Sequence, residues 1–131
     1  MKENLKLIIK NSYCPYSNFK TACIVVMKDG QEFLGVNVEN ASLKNGLCAE
    51  QVAIATAIAE GYTNFDFKEM HVMGDTKTIT RPCFLCRQLL VEFFDANKEV
   101  FCYNSSGKKE KFLVSELCPY AFNLEEANNG K

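Results

Sequence analysis

Apolar positions along the chain follow two rhythms, one near four residues and one near two. Leu5, Ile8 and Ile9 in NLKLIIKNS share one helical face and predict a short first helix. YCPYSNF then breaks the pattern, because Pro15 disfavours helix at Cys14 and Ser17-Asn18 favour a turn. TACIVVMKDGQEFLGVNV reads as two β-rich runs about Asp29-Gly30, the strongest hairpin signal in the chain. Asn37 and Glu39 lie two apart at the exit of the second run and share one side of an extended chain. After the loop ENASLKNG, residues Cys48 to Glu60 predict an alanine-rich helix closed by Gly61. EMHVMGD is a short strand of buried type. Cys86, Leu89, Leu90, Phe93 and Phe94 form a helical stripe, with Pro82 expected in the first turn. EVFCYN and EKFLV predict two strands joined by SSGKK, and Ser115 is expected to cap a last helical turn.

This order, α-ββ-α-β-α-ββ, predicts an α/β fold: a three-layer α/β/α sandwich with a mixed five-stranded sheet. About seven residues separate the final two strands, too few for the dozen or more that a parallel crossover needs, so that pair is expected to be antiparallel.

Length changes the picture little: 131 residues, 47% of them apolar, suit one domain spanning 1–131 with a single core. The net charge of -1 and the scattered lysines and arginines lack the basic stripe that holds a phosphate backbone, so nucleic acid is not an expected partner. MKENLKLIIKNSY carries charge on both sides of a very short apolar run, which is too little for a signal sequence or a membrane span. A cytoplasmic location is expected. Seven cysteines, an odd number with no secretion signal, argue against a disulfide framework and leave metal binding open.

Two stretches carry that chemistry. RPCFLCRQ places Cys83 and Cys86 in C-x-x-C spacing at a helix start, where free backbone N–H groups and the helix dipole favour thiolates. LCAEQ places Cys48 at the start of another helix, with Glu50 two residues on. Three sulfurs on Zn2+ leave a fourth position for water, and a carboxylate beside that position can move protons. Together, Cys-Ala-Glu followed by Pro-Cys-x-x-Cys matches the signature of zinc nucleobase deaminases. Three thiolates leave the site near -1 before any hydroxide is counted, so nearby donors must offset them, and Arg87 is a candidate. His71, the only histidine, and Cys14, Cys23, Cys102 and Cys118 read as packing residues.

With these residues in place, the chain resembles the small homotetrameric cytidine deaminases of pyrimidine salvage. YCPYSNFKTA, GVNVENAS, LCAEQVAI, RPCFLCRQLL and LCPYAF correspond in order to family blocks over nearly the whole length. The resemblance implies Cys48, Cys83 and Cys86 as zinc ligands, hydroxide on zinc attacking C4 of cytidine or deoxycytidine, and Glu50 as proton shuttle. It implies Phe19 stacking on the pyrimidine, Asn37 and Glu39 on the ribose hydroxyls, Ala49 as a further substrate contact, and Phe122 closing the pocket of a neighbouring subunit. Departures from the pattern are also visible. Gln51 stands where the family commonly has an arginine donating to the thiolates, Arg81 replaces a serine, Phe84-Leu85 replaces Gly-Ala, and Leu43 replaces a subunit-contact tyrosine. The rival readings are a blasticidin-S-type deaminase, a deaminase of tRNA or DNA, and a non-catalytic structural zinc module with Cys14, Cys102 or Cys118 as fourth ligand.

Overall fold

The computed structural model describes residues 1–130. Its five strands are β1 (Thr21–Met27), β2 (Glu32–Val36), β3 (Phe67–Gly74), β4 (Glu99–Tyr103) and β5 (Lys109–Leu113), in the order β2-β1-β3-β4-β5. The principal helices are α1 (Lys2–Ile8), α2 (Ala49–Ala59) and α3 (Phe84–Phe93), followed by the short α4 (Val114–Leu117) and α5 (Leu124–Asn129). No helix among the described residues is long and apolar enough to cross a membrane.

The central strand β1 is buried on both faces, so its sequence is a nearly unbroken apolar run. Period-two alternation divides it. Cys23, Val25 and Met27 join the larger core under α2, α3 and α4, with Met70, Val72, Val100 and Cys102 from the neighbouring strands. Ala22, Ile24 and Val26 face the other way, meeting Leu5 of α1, Met73 and Tyr103. His71 lies on this second side. Its Nδ1 is 2.7 Å from the Tyr103 hydroxyl, its Nε2 is 3.1 Å from Glu69, and its ring stacks on Phe101.

The sheet corrects the expected fold class. Only β3 with β4 is parallel; β1 with β2, β1 with β3, and β4 with β5 are all antiparallel. Antiparallel pairing is therefore the rule rather than a property of the final pair. The sheet is mixed through that one parallel pair, but in place of the expected evenly covered three-layer α/β/α sandwich it is a predominantly antiparallel sheet with uneven helical cover. Three helices contribute to the core on one face, whereas α1 is the helix that covers the other. The cause lies in the connections. Two links carry a crossover helix, and one of them, through α2, joins β2 to β3 with β1 lying between them, so it creates no parallel neighbours.

Boundaries differ as well. Cys83 is the residue preceding α3, so Pro82 lies outside the helix. Ser115 is inside α4, whose start is instead held by the Leu113 N–H donating to Glu116 at 2.8 Å. The helix α5 has no apolar stripe to betray it; Asn123 caps it by accepting from the Glu126 N–H.

One contact fixes how the site is placed. A Cβ at Gly35 of β2 would lie 2.2 Å from the Ala49 carbonyl oxygen and 2.6 Å from the Ala53 nitrogen, so α2 rests directly on strand backbone. Gly35→Ala is expected to force the two elements apart at an overpacking cost of about 1–3 kcal/mol, lowering Tm by about 5–10 °C. Thermal unfolding followed by circular dichroism checks this, and an unchanged Tm refutes the close-approach account.

Candidate metal centre

Each sulfur-bearing residue is positioned by a helix start. Cys48 immediately precedes α2, Cys83 immediately precedes α3, and Cys86 sits in the first turn of α3. Their sulfurs all lie within 4.8 Å of one another, the only such cluster of metal-ligating side chains among the described residues. Zn–S bonds of about 2.3 Å in a tetrahedron set sulfurs roughly 3.8 Å apart, so the trio fits a zinc ion with modest contraction. An all-sulfur donor set is also the soft set that suits zinc. Cys14, Cys102 and Cys118 are free thiols outside the cluster. Cys48 is held down to about 7, chiefly by the Cys86 thiol donating to it and also by Cys83, while the donor Cys86 is pushed up.

Glu50 follows on the first turn of α2 and is only 6% exposed. Burial raises its carboxyl above the ordinary range, opposed by its own backbone N–H and by Cys86. A buried acid whose pKa is raised, set beside three metal-ligating sulfurs, is suited to proton transfer at a metal-bound water.

The cluster opens on a cavity of about 530 Å³, within the 300–1,000 Å³ or so common for small-ligand sites. Phe19, Asn37, Glu39, Cys48, Glu50 and Cys83 all line it. Phe19 packs beside Gly74, where a Cβ would come 3.1 Å from its ring. Of the remaining expected residues, Ala49 is fully buried in the core. Phe122 is well exposed and lines a separate cavity between α3 and the C-terminal segment. Its backbone is clamped by Gln88, which donates to its carbonyl at 3.0 Å and accepts from its N–H at 3.2 Å.

The expected sulfur partners do other work. Gln51 accepts from the Cys48 backbone N–H at 2.8 Å, so it orients a ligand-bearing residue by its oxygen. Arg87 donates to the carbonyls of Pro82 at 2.7 Å and Leu117 at 3.1 Å, and lies 4.4 Å over the Phe84 ring. Arg81 lines the cavity but pairs with Glu110 at 3.4 Å. Sequence reasoning missed Gln88, Ser12 and Ser17, since serine and glutamine acquire a role only from partners distant along the chain. Ser17 donates to Glu39 from both Oγ, at 2.5 Å, and its N–H, at 3.1 Å.

Comparison with known proteins decides the family. Residues 1–103 match the cytidine and deoxycytidylate deaminase zinc-binding region. The chain belongs to this zinc-binding deaminase family. The cytidine deaminase of Mycoplasma genitalium is 36% identical to this family member, covering 92% of this chain and 91% of the relative. That of Halalkalibacterium halodurans is 38% identical, covering 92% and 89%. Among solved structures, the crystal structure of cytidine deaminase from Burkholderia pseudomallei is similar with a TM-score of 0.87 at 38% identity, covering 92% of this chain and 94% of that one.

Removing a single sulfur tests the cluster against a four-cysteine alternative. Cys83→Ala is expected to lose at least about tenfold in zinc affinity, whereas Cys118→Ala retains one zinc per chain. Elemental analysis after dialysis against a weak chelator checks both, and zinc loss from Cys118→Ala would overturn the three-sulfur assignment.

Proposed function

We infer that this deaminase converts cytidine and deoxycytidine to uridine and deoxyuridine with release of ammonia, in pyrimidine salvage. The observation that carries the reading is Glu50, a buried carboxylic acid beside three convergent sulfurs at the wall of a nucleoside-sized cavity. Cys48, Cys83 and Cys86 would hold Zn2+, which supplies a Lewis acid able to make water a nucleophile near neutral pH.

The residues of the chain do the rest. Glu50 takes a proton from the attacking water as oxygen bonds to C4, and delivers it to the ring nitrogen N3. A second proton, passed through the same carboxyl, goes to the amino group, and the C4–N bond breaks to release ammonia. One water enters, one ammonia leaves, and Glu50 ends as it began. Burial supports this role, since a carboxylate whose pKa is pushed up by desolvation takes a proton from water more readily than an exposed one.

Orientation falls to the cavity wall. Phe19 offers a face for the pyrimidine. Glu39 accepts from the Tyr16 N–H, the Ser17 N–H and the Ser17 hydroxyl, leaving room for one more donor. Asn37 keeps one N–H uncommitted. A ribose hydroxyl can accept from Asn37 and donate to Glu39, and one such hydroxyl suffices for both. Ala49, fully buried with its carbonyl against Gly35, serves the site by seating the first turn of α2.

The rest of the reading concerns setting. A single deaminase-like domain over 1–131 acts in the cytoplasm, in keeping with seven free thiols. Exposed Leu43, Leu47, Leu85 and Phe122 favour assembly as a homotetramer, with Phe122 reaching a neighbour's site.

Glu50→Gln keeps the shape and removes the proton carrier. It is expected to hold one zinc per chain while turnover of cytidine falls about a hundredfold to ten-thousandfold. Ultraviolet absorbance and ammonia release, measured separately with cytidine, deoxycytidine and blasticidin S, check this. Wild-type turnover by the glutamine variant would defeat the reading.

A further inference from the structure

We propose that Ser12 is a positioning residue: its hydroxyl braces the Asn37 amide and thereby holds the segment carrying Phe19 in its binding geometry. This rests on the deaminase reading for its effect on substrate, and on geometry alone for its effect on the free protein.

Ser12 follows the 3-10 turn Ile9–Asn11, and its hydroxyl donates to Asn37 Oδ1. The same oxygen accepts from the Thr21 N–H at 3.0 Å, while Nδ2 donates to the Phe19 carbonyl at 2.8 Å. An amide oxygen has two lone pairs, and both are taken. Turning the amide over would set NH2 against the Thr21 N–H and oxygen against the Phe19 carbonyl. The Thr21 N–H and the Phe19 carbonyl therefore set the orientation, and Ser12 is the one side chain that adds a further bond to hold it.

The orientation matters because of what it ties together. Asn37, Phe19 and Thr21 line the cavity, whereas Ser12 does not. Between Ser12 and Thr21 the chain is stitched to residues 37–39. Tyr13 N–H donates to the Asn37 carbonyl at 3.0 Å, Glu39 N–H donates to the Tyr13 carbonyl at 2.8 Å, and the Glu39 carboxylate gathers Tyr16 and Ser17. Asn18 sits at φ +56°, a conformation that its side chain tolerates better than most but that neighbouring contacts must maintain. Ser12 anchors one end of this stitched segment and the aromatic wall lies near the other. Losing its hydroxyl leaves the amide with two bonds instead of three and loosens the wall without touching the sulfurs or Glu50.

The test compares Ser12→Ala with Ser12→Thr, which keeps a hydroxyl. For Ser12→Ala, KM for cytidine is expected to rise about threefold to tenfold, the effect of one hydrogen bond, with kcat within about twofold and zinc per chain unchanged. Amide hydrogen exchange across residues 13–21 of the unliganded protein should accelerate by a similar factor. Ser12→Thr should restore both. Exchange does not depend on substrate, so it judges the proposal even where the wild type fails to turn over cytidine, a result that would sink the deaminase reading alone. Unchanged exchange in Ser12→Ala, an equal fall in kcat, or no rescue by threonine overturns the positioning role.

Discussion

The site depends on a helix lying unusually close to a strand. At Gly35 there is no side chain between β2 and α2, and the Ala49 carbonyl and Ala53 nitrogen occupy the space a Cβ would need. That approach sets the depth of the first turn of α2, and with it the positions of Cys48 and Glu50. The alanines at 49, 53 and 57, one per turn and all fully buried, extend the same flat contact along the helix. Cys83 and Cys86 reach the meeting point from α3, which packs over the same face of the sheet. Three sulfurs from two separate segments can share one ion only if both helix starts are placed to within a fraction of an ångström. Backbone-to-backbone packing supplies that precision better than flexible side chains do.

Once the sulfurs converge, their charge becomes the problem. Thiolates repel one another and repel Glu50. Two helix N-termini point partial positive charge at the cluster, because Cys48 and Cys83 are the residues at which α2 and α3 begin. Arg87 contributes from a distance. By holding the Pro82 and Leu117 carbonyls it fastens the approach to Cys83 against the end of α4. Gln51 likewise acts on geometry, holding the Cys48 N–H. The chain thus meets the charge mainly with backbone dipoles, using its polar side chains to keep those dipoles aimed.

The local features were readable in the sequence because they are local. Cys48 with Glu50, and Cys83 with Cys86, announce themselves by spacing; the hairpin about Asp29-Gly30 and the stripe from Cys86 to Phe94 follow from turn chemistry and periodicity. The predominance of antiparallel pairing was not readable, because nothing in the α2 link tells that β1 intervenes between β2 and β3. Nor were the duties of Arg87 at Leu117 and of Ser12 at Asn37, since a donor's distant partner depends on tertiary placement. Gly35 and Gly74 stood as glycines within strand patterns, a recognised mark of close approach, but the sequence does not name the partner.

The pair between the last two sulfurs shows how a conspicuous departure can be absorbed. Phe84 and Leu85 are much larger than the Gly-Ala that the resemblance calls for, yet both are largely exposed, so neither is forced into the core. Phe84 lies beneath the Arg87 guanidinium, a stacking that leaves Nε and Nη1 free for the two carbonyls. Its bulk therefore stiffens the arginine brace. Leu85 turns the other way and lines the cavity, adding apolar surface beside Cys83. A bulky pair at a helix start is tolerated there because first-turn residues opposite the core stripe face solvent or a cavity, where volume costs little. Leu85 thus shapes the wall that a ligand meets, while Phe84 packs on the arginine that braces the approach to Cys83.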